Sequence, residues 1–417
     1  MSVMKKVNNI ELMAPAGNFE AFQAALDAGA DSIYFGVEQL NMRARATMNF
    51  TIEDLEEVVA RAEPKGVRTY ITLNTIVYDH DISIAKRIID EAKRVGITAV
   101  IASDQAILMY AHTVGIEIHI STQLNITNVD TVKFYSNFAD VMVLSRELSL
   151  RQIKAITDAI EKEQIKGPSG ELVQVEIFAH GALCVAVSGK CYMSLHTQNA
   201  SANRGACIQN CRRSYKVIDN DTGDELVVDN EYIMSPEDLC TLDFMDQVID
   251  AGVCVLKIEG RGKAADYVHT VIGCYREAID AYLDGTYTPE KVAVLMEKLK
   301  TVYNRGFWGG YYLGQELGSF SNTPGSKATE KKLFLGKGLH YYPTPEIGEF
   351  KIETHDLKIG DKFLITGPTT GVAEGVIDEI RVDGALVEKA SKGQNCTFKV
   401  NKKIRPSDKL YKMIPND

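Results

Sequence analysis

Residues 82–122 read ISIAKRIIDEAKRVGITAVIASDQAILMYAHTVGIEIHIST, and this stretch decides the fold. From Ile82 to Val95 apolar residues recur at helical spacing, and Gly96 closes the helix. The apolar run Ala99–Ser103 that follows has the length of a strand. A second helix, Gly115 and the run Glu117–Thr122 then repeat the unit. Helices that end in Ala-Gly or Val-Gly just before a short apolar run are the units of a parallel sheet.

The same unit extends in both directions. Upstream lie the runs Ile10–Ala16, Ser32–Gly36 and Arg68–Thr75, separated by a helix over Phe19–Ala28 and one that begins near Thr51. Thr51 and Asp54 form the pattern of a capping box. Downstream lie Val141–Glu147, Val175–Gly181 and Val255–Arg261. Eight runs alternating with helices predict an α/β fold, a closed (β/α)8 TIM-type barrel, with an open doubly wound sheet as the alternative.

Between the seventh and eighth runs stand 73 residues, 182–254, too many for an ordinary loop. The sequence therefore predicts a cysteine-rich insertion after strand 7, where barrel enzymes build their sites. A hairpin is expected inside it, Tyr215–Asp219 with Glu225–Val228. After two more helices, Ala264–Leu283 and Pro289–Tyr303, a Ser/Thr/Pro stretch near Ser319–Lys327 marks a boundary. The expected domains are 1–325, the barrel with its insertion, and 326–417, a small antiparallel β-barrel.

Composition narrows the function. A net charge of −10 argues against a general nucleic-acid coat protein. The charge is uneven, since residues 177–218 hold Lys190, Arg204, Arg212, Arg213 and Lys216 and no acid. No apolar run is long enough to span a bilayer and Met1–Asn9 is polar, so a cytoplasmic protein without membrane association is expected. Of eight cysteines, Cys184, Cys191, Cys207 and Cys211 fall within 28 residues, with Cys240 nearby. Disulfides are disfavoured in a reducing compartment, and paired Cys-x-x-Cys knuckles of a zinc ribbon are absent. An iron–sulfur cluster tolerates irregular spacing, so the chemistry leaves iron–sulfur, zinc and a structural thiol role open.

Polar residues recur at the ends of the strand runs: Asn74, Asp104, Gln123, Arg146, Glu147, His180, Glu259 and Arg261, with Arg43 and Arg45 after the second. Such recurrence on one barrel face is the pattern of a site. Arg43, Arg146, Arg204 and Arg261 suit a carboxylate or phosphate. No Gly-x-Ser-x-Gly elbow, His-Glu-x-x-His helix or Walker loop occurs.

Several segments resemble one known family. They are Glu11-Leu-Met-Ala-Pro-Ala-Gly17, Phe178-Ala-His-Gly-Ala-Leu-Cys184, Ser188-Gly-Lys-Cys191, Asn203-Arg-Gly-Ala-Cys207, Gln209-Asn-Cys-Arg-Arg213 and Ser235-Pro-Glu-Asp-Leu-Cys240. Together they are similar to the collagenase-like peptidases of family U32, over essentially the whole chain. Several bacterial members are RNA or quinone hydroxylation proteins that hold a [4Fe-4S] cluster on four cysteines. Length and the short C-terminal domain make the chain most similar to the branch that hydroxylates the wobble uridine of tRNA and depends on prephenate. The resemblance implies Cys184, Cys191, Cys207 and Cys240 as metal ligands, with zinc as the alternative metal and Cys211 as an alternative to Cys240 or a thiol just outside the ligand set. From the strand-end residues the expected catalytic set is Arg43, Asn74, Gln123, Arg146, His180 and Glu259, with Arg204 and Arg261 to bind the prephenate that the resemblance implies. Lys399, Lys402, Lys403 and Arg405 would then grip the RNA backbone. A peptidase and a structural metal protein associated with RNA are the rival readings.

Overall fold

The computed structural model describes residues 10–45, 47–216, 218–223, 232–314, 318–323 and 325–416. Seven parallel strands follow one another round a barrel: β1 (Glu11–Ala16), β2 (Ser32–Gly36), β3 (Arg68–Leu73), β4 (Ala99–Ala102), β5 (Glu117–Ile120), β6 (Val141–Val143) and β7 (Gln174–Gly181). The eighth barrel strand, β9 (Val255–Ile258), pairs in parallel with both β1 and β7 and closes it. The open-sheet alternative is thereby excluded.

The helices between them are α1 (Phe19–Asp27), α2 (Leu55–Ala62), α3 (Ile82–Val95), α4 (Gln105–Val114), α5 (Val129–Tyr135) and α6 (Leu150–Lys162). The reciprocal pair forms, Thr51 N–H donating to Asp54 Oδ2 (2.8 Å) and Asp54 N–H to Thr51 Oγ1 (3.3 Å), but it closes the turn before α2, which begins only at Leu55. Gly96 and Gly115 close α3 and α4 at φ of 91° and 71°, in the left-handed region that favours glycine.

The excursion after β7 divides in two. Its first part carries the short helix α7 (Met193–Gln198). Its end returns to the barrel as β8 (Asp238–Cys240), antiparallel to the end of β7, and α8 (Met245–Asp250). Three residues are too few to show a period, so β8 was not legible. Of the expected hairpin, Glu225–Val228 lies outside the described residues.

Two long helices follow, α9 (Ala265–Leu283) and α10 (Pro289–Lys300), then β10 (Phe307–Trp308), which pairs with β8. An eight-stranded antiparallel sheet ends the chain. Its order is Gly371–Val376, Lys362–Gly367, Lys409–Pro415, Glu330–Tyr342, Ile347–Ile352, Asn395–Lys399, Ile380–Val382 and Ala385–Val387. Phe363 and Phe398 lie on strands with three others between them in the ladder, yet their rings are 5.2 Å apart, so the sheet curls round a core of its own. No ladder joins its two edge strands among the described residues.

This sheet packs on α1 and α9 through Leu364 and Val372 against Ala24 and Ala265. Lys402 Nζ donates to Asp27 Oδ2 (2.6 Å), and Lys332 Nζ to Asp266 Oδ1 (2.7 Å). Lys402, read from sequence as an RNA contact, is thus engaged in holding the sheet to α1. Among the described residues, no helix is long and apolar enough to cross a membrane.

Candidate functional site at the carboxyl ends of the barrel strands

Inside the barrel, Met13, Tyr34, Tyr70, Ile101, Val141 and Val255 pack as one apolar layer. Charged groups are built into the same interior. Lys257 Nζ donates to Glu176 Oε1 (2.6 Å), and the other Glu176 oxygen lies 3.5 Å from His119 Nδ1. His119 Nε2 meets Glu117 Oε1 at 3.0 Å, and Tyr70 donates to Glu11 (2.8 Å). Glu176 and His119 are fully buried.

Above this layer opens a cavity of about 140 Å³. Lys257 and Tyr34 form its floor with Glu259, Arg43 and Arg261. Arg43 Nη2 donates to Glu259 Oε1 (2.8 Å), and Tyr34 OH reaches Ile258 O (2.9 Å). Arg261 Nη1 is fixed by Asn41 Oδ1 (3.0 Å) and Thr72 Oγ1 (2.8 Å). Arg146 lies over the Phe178 ring, 4.0 Å from its centroid. The Nε–H groups of both Arg146 and Arg261 are buried without a hydrogen-bond partner. Two guanidiniums with unpaired donors, both lining one cavity, are the makings of an anion site.

Burial alone would raise the Glu259 pKa. The guanidiniums of Arg43, Arg261 and Arg146 outweigh it and hold the carboxyl at about 2. A carboxylate depressed below its ordinary 4.5 stabilises the fold above that pH, and loses this as pH falls towards 2. The shift corresponds to at most roughly 3 kcal/mol. Denaturant unfolding at stepped pH is expected to show Glu259→Gln with a shallower loss of stability than wild type below pH 4.5. Parallel acid limbs would contradict this.

The cavity's outer wall is the insertion. Cys184, Cys191, Cys207 and Cys211 all line it. The wall is seated through Gly205, φ 78°, where a side chain would strike the carbonyl of Asn41. Arg212 Nη1 ties it to the strand side through Ser235 Oγ (3.0 Å) and Pro236 O (2.6 Å).

Three sequence expectations are corrected. Cys240 does not line the cavity; it is buried in β8 with Tyr275 OH and Met296 Sδ, each 3.8 Å from its Sγ. Burial pushes that thiol up to about 12, and Cys211 stands with the other three instead. His180 is likewise not in the cavity wall: it is enclosed by Tyr267, Tyr275 and Phe307, and burial lowers its pKa to about 3. Arg204 also lies outside, paired with Asp81, donating to Ile76 O (2.9 Å) and set over the Tyr78 ring.

Asn74, Gln123, Arg43, Arg146, Glu259 and Arg261 are all brought together. Asp104 is a helix cap, accepting from Ala106 N–H (2.9 Å), and Glu147 pairs with Ser145. Sequence reading missed Tyr34 and Lys257. A lysine inside the apolar run of β9 was the available signal.

The residues suit a metal cluster in one specific sense. Four thiols share a wall, yet among the described residues no three His, Cys, Asp or Glu side chains converge to hold a metal ion. Thiols are the soft donors that an iron–sulfur cluster and zinc both take.

Fold and site define a barrel protein whose strand ends carry a cationic, cysteine-walled cavity. The chain belongs to peptidase family U32, whose family model matches residues 17–320. It is 54% identical over 406 residues to a protein of Porphyromonas gingivalis named collagenase, covering 97% of this chain and 98% of that one. A Methanocaldococcus jannaschii protein named an uncharacterized protease is 38% identical, covering 96% and 98%. The tRNA hydroxylation protein P1 of Bacillus subtilis is 30% identical, covering 96% and 94%.

Proposed function

We propose that this chain is an RNA-modifying enzyme that hydroxylates the wobble uridine of tRNA, with a [4Fe-4S] cluster on Cys184, Cys191, Cys207 and Cys211. The observation that carries this reading is the joining of those four thiols and three arginines in one cavity. A cluster so held, with every iron carrying a thiolate, would supply an electron-transfer centre. Arg43, Arg146 and Arg261 bind and orient a dianion such as prephenate, and Glu259 fixes Arg43. The named function of the B. subtilis relative, similar over nearly its whole length, points to the RNA substrate.

The collagenase name of the P. gingivalis relative favours a peptidase as the second reading. Hydrolysis needs a nucleophile within reach of a base. The cavity contains Ser188, but no histidine lines it.

Anaerobically purified protein should contain iron and acid-labile sulfide. Nucleoside mass spectrometry should find wobble uridine lacking one oxygen in cells without the gene, restored by the wild-type gene. Gelatin cleavage by the metal-free protein, with tRNA unchanged in the deletion strain, would establish the peptidase instead. Arg146→Met is expected to weaken prephenate binding about tenfold or more, the loss of a hydrogen bond to a charged group. Calorimetric titration checks this, and an unchanged affinity would remove Arg146 from the anion site.

A further inference from the structure

Beside the arginine-floored cavity lies a second chamber of about 230 Å³. Met42, Asn74, Gln123, Gly189 and Asn203 belong to both, and form the wall between them. Gly189 keeps that wall thin: its φ is 74°, and a Cβ there would stand 2.6 Å from Gln123 Oε1.

The two chambers differ in chemistry. No arginine lines the second; its charged groups are Asp104 and Lys190, and Asp104 already caps α4. Its polar lining is carboxamide and hydroxyl, from Asn74, Gln123, Asn203, Gln105 and Ser103. Met42, Ile76 and Leu124 supply apolar surface.

Two carboxamide oxygens of the shared wall, Gln123 Oε1 and Asn203 Oδ1, are buried with no hydrogen-bond partner. Orphaned buried acceptors call for a ligand that donates. A uracil ring offers one edge N–H, at N3, to one of these oxygens, with a carbonyl on either side for the carboxamide N–H groups of the lining, and carboxamides are side chains that read base edges. A base taken out of its stack is held by hydrogen bonds to that edge and by apolar contact with its faces.

We propose that the second chamber receives an unstacked nucleobase, with uracil as the simplest occupant, while the arginine-floored cavity holds the small anion. This rests on the RNA reading above. Gln123 and Asn203 then stand between the base and the anion, so the two ligands meet across the shared wall.

The test uses the full chain, purified anaerobically, and two fluorescent anticodon stem-loop RNAs. One carries uridine at the wobble position and the other is abasic there. Wild type is expected to bind the uridine form at least tenfold more tightly by anisotropy. Gln123→Leu should lose that preference and keep its iron. Gln105→Trp, at an exposed residue that lines only the second chamber, should lose it too while binding prephenate as wild type does. It carries the test if Gln123→Leu fails to fold. Equal binding of both RNAs by wild type, or a preference retained in the variants, would overturn the chamber assignment alone. No RNA binding by wild type would overturn the RNA reading with it.

Discussion

Cys211→Ala is expected to lose most of its iron and sulfide, while Cys240→Ala keeps wild-type content. The contrast follows from where the two thiols stand. Cys211 shares the cavity wall with Cys184, Cys191 and Cys207, and the acid-free stretch 177–218 round it carries Arg212 and Arg213. Cationic neighbours favour the thiolate that a metal requires. Burial raises the Cys211 pKa, and Arg212 is the largest opposing influence. Cys240 faces the other side of β8, against α9 and α10, where its sulfur has the company of Tyr275 and Met296. A thiol buried there is a packing group, and its loss should cost stability through a small cavity. Even an outer partner of a metal ligand is worth about 10–100-fold in metal affinity, so a missing ligand should do at least as much. The measurement is iron and sulfide per chain, with the visible spectrum, in both variants purified side by side without oxygen. Full iron in Cys211→Ala with none in Cys240→Ala would reverse the ligand assignment and require the insertion to rearrange.

Much of the barrel was legible because parallel strands buried on both faces read as continuous apolar runs. The strand ends were legible for the opposite reason. Asn74, Gln123, Arg146, Glu259 and Arg261 interrupt apolar runs with groups that need partners, and all five reach one cavity. What failed depended on partners remote in sequence. Arg204 is engaged by Asp81, 123 residues earlier, so its charge is spent before it can meet an anion. His180 ends the same strand run, but a register shift between Phe178 and His180 accompanies its place among aromatic rings outside the cavity. Spacing along a loop carries no information about which wall a thiol faces, so the sequence did not show that Cys211, and not Cys240, lines the cavity with the other three. The charged barrel interior was readable and passed over: Glu176, His119 and Lys257 each break an apolar strand, which a core without function has no reason to do.

Lys257→Met is expected to destabilise the barrel by about 3–5 kcal/mol, the cost of leaving a buried charge without its partner. The charge left short of its partner belongs to Glu176, fully buried 2.6 Å from the missing ammonium. Burial alone would raise the Glu176 pKa; Lys257 and His119 together hold it below the ordinary range. Replacing both members, Lys257→Met with Glu176→Leu, should recover most of the loss, since well-packed apolar pairs often match buried ion pairs. Urea unfolding of both single variants and the double one checks this, and additive losses would defeat it. His119 adds a pH dependence. Burial opposes its charge, but Glu117 and Glu176 raise its pKa above the free value of 6.5. Its contribution is therefore complete below that value and is lost as pH rises through the higher folded pKa. Glu176→Leu should shrink that alkaline loss. The network also sets the field at the cavity floor. Arg43, Arg146, Arg261 and Lys257 face Glu259 and Glu176, a cationic excess suited to a dianion. The double variant removes one charge of each sign and leaves that excess unchanged. Prephenate affinity should then survive in the double variant, which separates what the pair does for the fold from what the arginines do for the ligand.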